Sequence, residues 1–152
     1  MALLNVKQID QDSFKKQFDL DNRISKTIMF YFPLVQDGQL GGFCKFDWDG
    51  NINIVDAFCG YAGVEDTIID IQKISEKEFK LNSNTWESIF TTDKEIKIPA
   101  SGMTQDGSYL LSSIAVKKGD LFRIVFKKTG PTGHPIDDLK IRELTVQLHI
   151  EI

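Results

Sequence analysis

Few side chains in this 152-residue chain could do chemistry, and they are scattered. Asp47, Asp49 and Asn51 alternate around Gly50, which invites a calcium-loop reading. An EF-hand loop, however, needs glycine at its sixth position and a bidentate glutamate at its twelfth. Counted from Asp47, Gly50 comes fourth and Phe58 twelfth, so these acids are expected to serve a turn instead. The two histidines, His134 and His149, have no cysteine or histidine at zinc-ligand spacing. Cys44 and Cys59 fall in apolar, strand-like stretches, which are poor places for an activated thiolate. Both are expected as reduced, buried thiols that behave as small hydrophobes. No Gly-rich phosphate loop and no Gly-x-Ser-x-Gly elbow occurs. Gly41-Gly42 and Gly60-x-x-Gly63 read as turn or bulge glycines. The expectation is a non-enzyme with no catalytic residue, no metal and no cofactor.

Two binding chemistries are left. Tyr31, Trp48, Tyr61, Trp86 and Tyr109 could stack on a sugar if two of them shared an exposed groove. Most lie inside strand patterns, where an aromatic is expected in the core. Trp86 follows a polar stretch and is the candidate for a surface ligand contact. Lys117, Lys118, Arg123, Lys127 and Lys128 gather around one corner. A solvated edge explains them, since lysines also discourage sheet-edge pairing. The net charge of −4 and the scatter of the other basic residues argue against nucleic acid as a partner.

The elements that would position these residues are strands. From residue 27 the pattern is β and stays β. Residues 27–32 form an apolar strand ended by Pro33. Residues 40–48 are a second strand, and Asp49-Gly50 predicts a two-residue hairpin turn into a partner strand over 51–61. There Ile52, Ile54 and Phe58 are expected on one face, with Asp56 on the same side near an irregularity. A strand over 67–74 precedes a polar segment, 75–85, that reads as an extended hairpin or surface loop anchored by Phe79 and Leu81. Residues 86–90 follow, with Trp86, Ser88 and Phe90 sharing a face, and Pro99 confines the next piece to a sheet edge. Strands over 109–116 and 119–126 are joined by the Gly119-Asp120 corner. Gly119 gives it backbone freedom, and Asp120 can hydrogen-bond its own turn. Phe122, Ile124 and Phe126 are expected in the core, with Lys117 and Lys118 in water. Residues 142–152 alternate most cleanly of all. Short strands with Gly and Pro turns and no βαβ rhythm predict an all-β fold, an antiparallel β-sandwich of jelly-roll type.

Residues 1–26 differ from the rest. The segment 10–21, DQDSFKKQFDLD, predicts a short helix with Phe14 and Phe18 at i, i+4 on one face. It reads as an N-terminal arm that packs on its own sandwich, residues 27–152, or on another subunit. Phe14 and Phe18 are thus the candidate assembly residues. The chain holds 11 phenylalanines against 3 tyrosines, and most of these rings must be buried in a core or an interface. No charged-then-apolar leader opens the sequence, and no apolar run approaches the roughly 20 residues of a membrane helix. Synthesis in a cytoplasm and no membrane insertion are expected.

An ordered set of pieces points further. Residues 38–48 run into Asp49-Gly50-Asn51-Ile52. Gly60 to Gly63 is followed by Thr67-Ile68-Ile69-Asp70-Ile71, and Trp86 by Ser88-Ile89-Phe90-Thr91-Thr92. Then come residues 96–99, Ile114-Ala115-Val116 with Gly119-Asp120 and Phe122 to Phe126, Gly130, and the alternating end. In this order the pieces resemble a β-sandwich domain recurrent in virion proteins of tailed bacteriophages. The chain departs from that pattern in the longer 75–85 segment and in an added 137–141 segment. The resemblance implies a homotrimer located in the virion, with other capsid or tail proteins as partners and a host surface glycan or receptor as a further one. Within that class the short chain with its own arm points to a capsid-surface protein, a head fibre or decoration. A tail or baseplate receptor-binding protein is the alternative. The rival of another class is a free carbohydrate-binding module, a monomer with two or more coplanar exposed aromatics.

Overall fold

Period-two alternation becomes strand along most of the chain. The computed structural model describes residues 25–36, 38–128 and 140–152. Its elements are β1 (Ser25–Leu34), β2 (Leu40–Lys45), β3 (Gly50–Tyr61), β4 (Thr67–Ile74), α1 (Glu76–Lys80), β5 (Glu87–Ser88), β6 (Ile96–Ile98), β7 (Ala115–Val116), β8 (Leu121–Lys128) and β9 (Arg142–Glu151). The predicted arm helix with Phe14 and Phe18 lies outside the described residues, as does His134.

The strands form two antiparallel sheets, so the all-β expectation holds. The first has the order β1-β9-β3-β7; the second has β2-β8-β4-β5, with β6 also paired to β4. The cleanest alternating strand, β9, sits between β1 and β3. Its Leu144, Val146, Leu148 and Ile150 are fully buried. Phe122, Ile124 and Phe126 of β8 reach the same core from the second sheet, each at 0% exposure, as their parity predicts. Phe32 of β1 meets Phe126 edge to face, with ring centroids 4.9 Å apart. Lys117 and Lys118 are exposed.

Both predicted turns turn out to be crossings between sheets. Asp49-Gly50 does not close a hairpin: β2 pairs with β8, whereas β3 pairs with β9 and β7. Likewise β7 belongs to the first sheet and β8 to the second. The two corners hold each other. Asp49 Oδ1 accepts from the Lys118 N–H at 2.8 Å, Phe46 N–H donates to the Asp120 carbonyl at 2.8 Å, and Gly119 N–H donates to the Phe46 carbonyl at 2.7 Å. Asp120 Oδ2 also caps its own turn through the Lys117 N–H, 2.9 Å away, and Gly119 takes φ +95°.

Other pieces depart from the sequence reading. The register of β3 slips between Ile52 and Ile54. This bulge keeps Ile52 buried and turns Ile54, Asp56 and Phe58 outward, while Val55, Ala57 and Cys59 take the inner face. Part of the segment 75–85 is helix: Ser75 accepts from the Glu78 N–H at 3.2 Å, starting α1 in place of a hairpin. After Ser88 the chain turns inward, so Phe90 is buried instead of sharing a face with Trp86 and Ser88. Ser88 Oγ accepts the Phe90 N–H at 3.1 Å in that turn. The strand expected over 109–116 shrinks to Ala115–Val116, with Leu111 bridged to Phe90. Pro33 lies within β1, an edge strand, where proline is tolerated.

Candidate functional site

The outer face of the first sheet is the most unusual surface among the described residues. Register aligns its outward side chains in rows across β1, β9 and β3: Thr27–His149–Ile54, Met29–Gln147–Asp56 and Tyr31–Thr145–Phe58. The flanking columns are largely apolar and exposed. Met29 is 60% exposed, Tyr31 54%, Ile54 46% and Phe58 41%. Tyr61 at the end of β3 is exposed as well, with the Arg142 guanidinium 4.4 Å over its ring. The central column is polar.

A hydrogen-bonded string crosses this face. His149 Nε2 lies 3.1 Å from Asp56 Oδ2, and Nδ1 lies 3.0 Å from Thr27 Oγ1. A carboxylate only accepts, so Nε2 donates to Asp56, while the threonine hydroxyl can meet Nδ1 as donor or acceptor. Gln105 Nε2 holds β3 at the Val55 carbonyl, 2.6 Å away, and reaches Asp56 Oδ1 at 3.4 Å. Hydroxyl, imidazole and carboxylate in a line are the parts of a nucleophilic triad. Here they lie on an open sheet, and among the described residues the Thr27 hydroxyl is hydrogen-bonded to His149. The string acts as a brace that orders three strands and leaves its charges internally partnered.

The outer face of the second sheet is partly covered by its own chain, though Phe43 and Phe79 stay 57% and 44% exposed. Trp86, the sequence candidate for ligand contact, is partly buried in a cluster. The Arg123 guanidinium stacks 4.2 Å over its ring, and Phe43 and Phe79 meet it edge-on at 6.0 and 6.3 Å. One face of the indole is therefore already occupied. Beneath it runs a directional chain: Arg123 Nε donates to Gln72 Oε1 at 2.8 Å, Gln72 Nε2 to Asp70 Oδ2 at 3.1 Å, and Ser88 Oγ to Asp70 Oδ1 at 2.5 Å. Asp70 is 1% exposed. Burial pushes its carboxyl above the usual carboxylate range, against the pull of the Ser88 and Gln72 hydrogen bonds. Glu95, also buried, pairs with Lys127.

A cleft of about 580 Å³ lies between α1 and the Lys117–Asp120 corner. Part of its charged lining is internally committed, while the side chains of Lys77, Glu78, Glu87, Lys117 and Lys118 line it with no ion pair among the described residues. Lys73 Nζ donates to Ser113 Oγ at 3.2 Å and to the Ala115 carbonyl at 2.5 Å. Glu76 pairs with Lys45 at 2.8 Å and Lys80 at 3.1 Å, and the hydrogen bond from Lys45 leads in holding its carboxyl low. Lysines and acids alternate around the cleft, and no set of them converges on one point.

The aromatic expectation needs correction. Tyr31, Trp48 and Tyr61 are exposed instead of buried, because strand parity or a corner places them outward. Trp48 carries Lys26 Nζ 4.7 Å over its ring. Tyr109 does turn inward, accepting the Val55 N–H at 3.2 Å and packing on Phe90. Both thiols are free, Cys59 buried and Cys44 half-buried, and burial pushes both up, which leaves them unreactive. Sequence reasoning missed the Thr27–His149–Asp56 string. Its one visible sign was Asp56, an acid on a face otherwise shared by Ile54 and Phe58. No family model, no curated protein and no solved structure matches the chain.

Proposed function

We propose that this chain is a non-enzymatic structural protein of a tailed-phage virion. It is a jelly-roll module that works as a homotrimer on the capsid surface, anchored by its N-terminal arm. Strand order supports the jelly-roll reading. The chain passes between sheets from β1 through β4, returns to the first sheet at β7, and ends with β9 beside β1. Such a path is the one expected of two Greek keys wrapped into a jelly roll. The resemblance of the ordered sequence pieces to phage virion domains is the ground for the biological setting. The observation that carries the reading is the apolar outer face of the first sheet, which offers a surface for assembly.

Two measurements test it. Light scattering on the purified chain is expected to give three times the 17.3 kDa chain mass. Mass spectrometry and immunogold labelling of purified particles are expected to find the chain on the head. A label at the tail tip would favour the receptor-binding alternative. A stable monomer at micromolar concentration, together with absence from particles, would overturn the proposal.

A further inference from the structure

We propose that the outer face of the first sheet is the surface through which copies of this chain associate, with Met29, Tyr31, Ile54 and Phe58 as its anchors. The inference rests on reading the chain as a homo-oligomer and adds which surface does the work.

Area is the first argument. Tyr31, Phe58, Met29, Ile54 and Tyr61 are each about half exposed. Large side chains present about 150–250 Å² each, so together these five offer about 500 Å² of apolar surface. A standard protein interface buries about 800 Å² per partner, of which about 56–65% is apolar. The patch thus supplies the apolar share of one side of such an interface. It is larger than a sugar ring can cover.

Charge is the second. A face turned toward a threefold axis lies against the same face of both neighbours, so it must tolerate its own charges brought close. Across the three rows the ionisable groups are Asp56 on β3 and His149 on β9, and each already holds the other. From β1 the string receives only the Thr27 hydroxyl, and from the 99–108 loop only the Gln105 amide. Closing the three rows therefore buries one carboxylate already hydrogen-bonded by His149 and Gln105, while Glu143, Glu151 and Arg142 lie at the ends of the patch. The face also presents no basic cluster for a phosphate-rich partner.

The third argument is contrast. The second sheet carries α1 and Trp86 over its outer face, whereas no described element covers these rows of the first.

The test uses the full chain. Association is measured by light scattering and sedimentation for the wild type, for Tyr31→Glu/Phe58→Glu, and for a control, Leu81→Glu/Leu110→Glu, at exposed apolar positions elsewhere. Circular dichroism confirms folding. The face variant is expected to be a folded monomer with association weakened at least 100-fold, while the control assembles normally. If the face variant misfolds, peroxide oxidation of Met29 in the wild type gives the answer. Oxidation is expected to be slow when assembled and fast on dilution. An oligomer that survives in the face variant, or a Met29 equally reactive in both states, overturns the assigned face but leaves the oligomer standing. A monomeric wild type overturns both. So does a wild type that associates only after residues 1–24 are deleted, because the arm is then the occupant.

Discussion

Removing one hydroxyl, in Ser88→Ala, tests the polar chain beneath Trp86. Ser88 Oγ donates to Asp70 at 2.5 Å and accepts from the Phe90 N–H at 3.1 Å. Asp70 is 1% exposed, so water cannot replace the lost donor. A hydrogen bond to a charged group contributes about 1.5–3 kcal/mol and a neutral one about 0.5–1.5. The expected loss near pH 7 is therefore about 2–4 kcal/mol, a large part of the about 5–15 kcal/mol that holds a typical domain folded. The loss must also depend on pH. Burial raises the Asp70 carboxyl, so between its unfolded and folded values the native state binds the extra proton. Stability from this group is full below the unfolded value and is lost as pH rises through the folded one. Deleting the Ser88 hydroxyl removes a pull toward the charged form and widens that interval upward. The difference between wild type and variant should thus shrink as pH is lowered and Asp70 becomes neutral. Urea unfolding followed by tryptophan fluorescence near pH 7 and near pH 4 measures it. An equal loss at both values, or one below about 0.5 kcal/mol, the range of an ordinary surface change, would refute an ionised Asp70 held by Ser88.

Two further substitutions probe the backbone. Gly42 sits at φ +65°, and a Cβ there would lie 2.5 Å from the Phe30 ring. Gly42→Ala is expected to lose more than the about 1–2 kcal/mol of the left-handed conformation alone, read as a lower urea midpoint at unchanged slope. Ser75→Ala removes the acceptor for the Glu78 N–H and is expected to lose about 0.5–2 kcal/mol, with faster amide exchange confined to α1 and the Trp86 segment if the helix opens locally.

What the sequence made legible follows rules that act over a few residues. Parity alone places Phe122, Ile124 and Phe126 in the core, and Gly119-Asp120 forms its corner by local chemistry. What it hid depends on partners far away. Asp49-Gly50 has the composition of a hairpin, but composition specifies a reversal and not which sheet each arm joins. Asp49 bonds Lys118, 69 residues on, and the chain crosses instead. The bulge at Ile52–Ile54 inverts the expected face of β3, since one extra residue exchanges inside and outside. Ser75-x-x-Glu78 has the composition of a helix start, but it lies in a polar, aperiodic segment that reads as a hairpin or loop. Thr27, Asp56 and His149 are 93 or more residues from their partners, and only strand register brings them together.

Among the described residues, the two outer faces differ in what the segment after β4 covers. After β4 the chain enters α1 at Ser75, and Glu76 grips Lys45 of β2. The helix and the residues after it are thereby drawn over the second sheet, where Phe79 and Trp86 meet Phe43 and Arg123. That cover removes Asp70 from water and makes its hydrogen bonds matter. The same segment does not reach the far side of the first sheet. A sheet face left to water favours polar side chains at alternate positions. β9 obeys this with Thr145, Gln147 and His149, while its neighbours present Met29 and Tyr31 on one side and Ile54 and Phe58 on the other. Neither strand needs those residues for its own pairing, which runs through the backbone. In the isolated sheet these side chains gain only cross-strand packing and leave apolar surface in water, a cost that a second surface closing over them would remove.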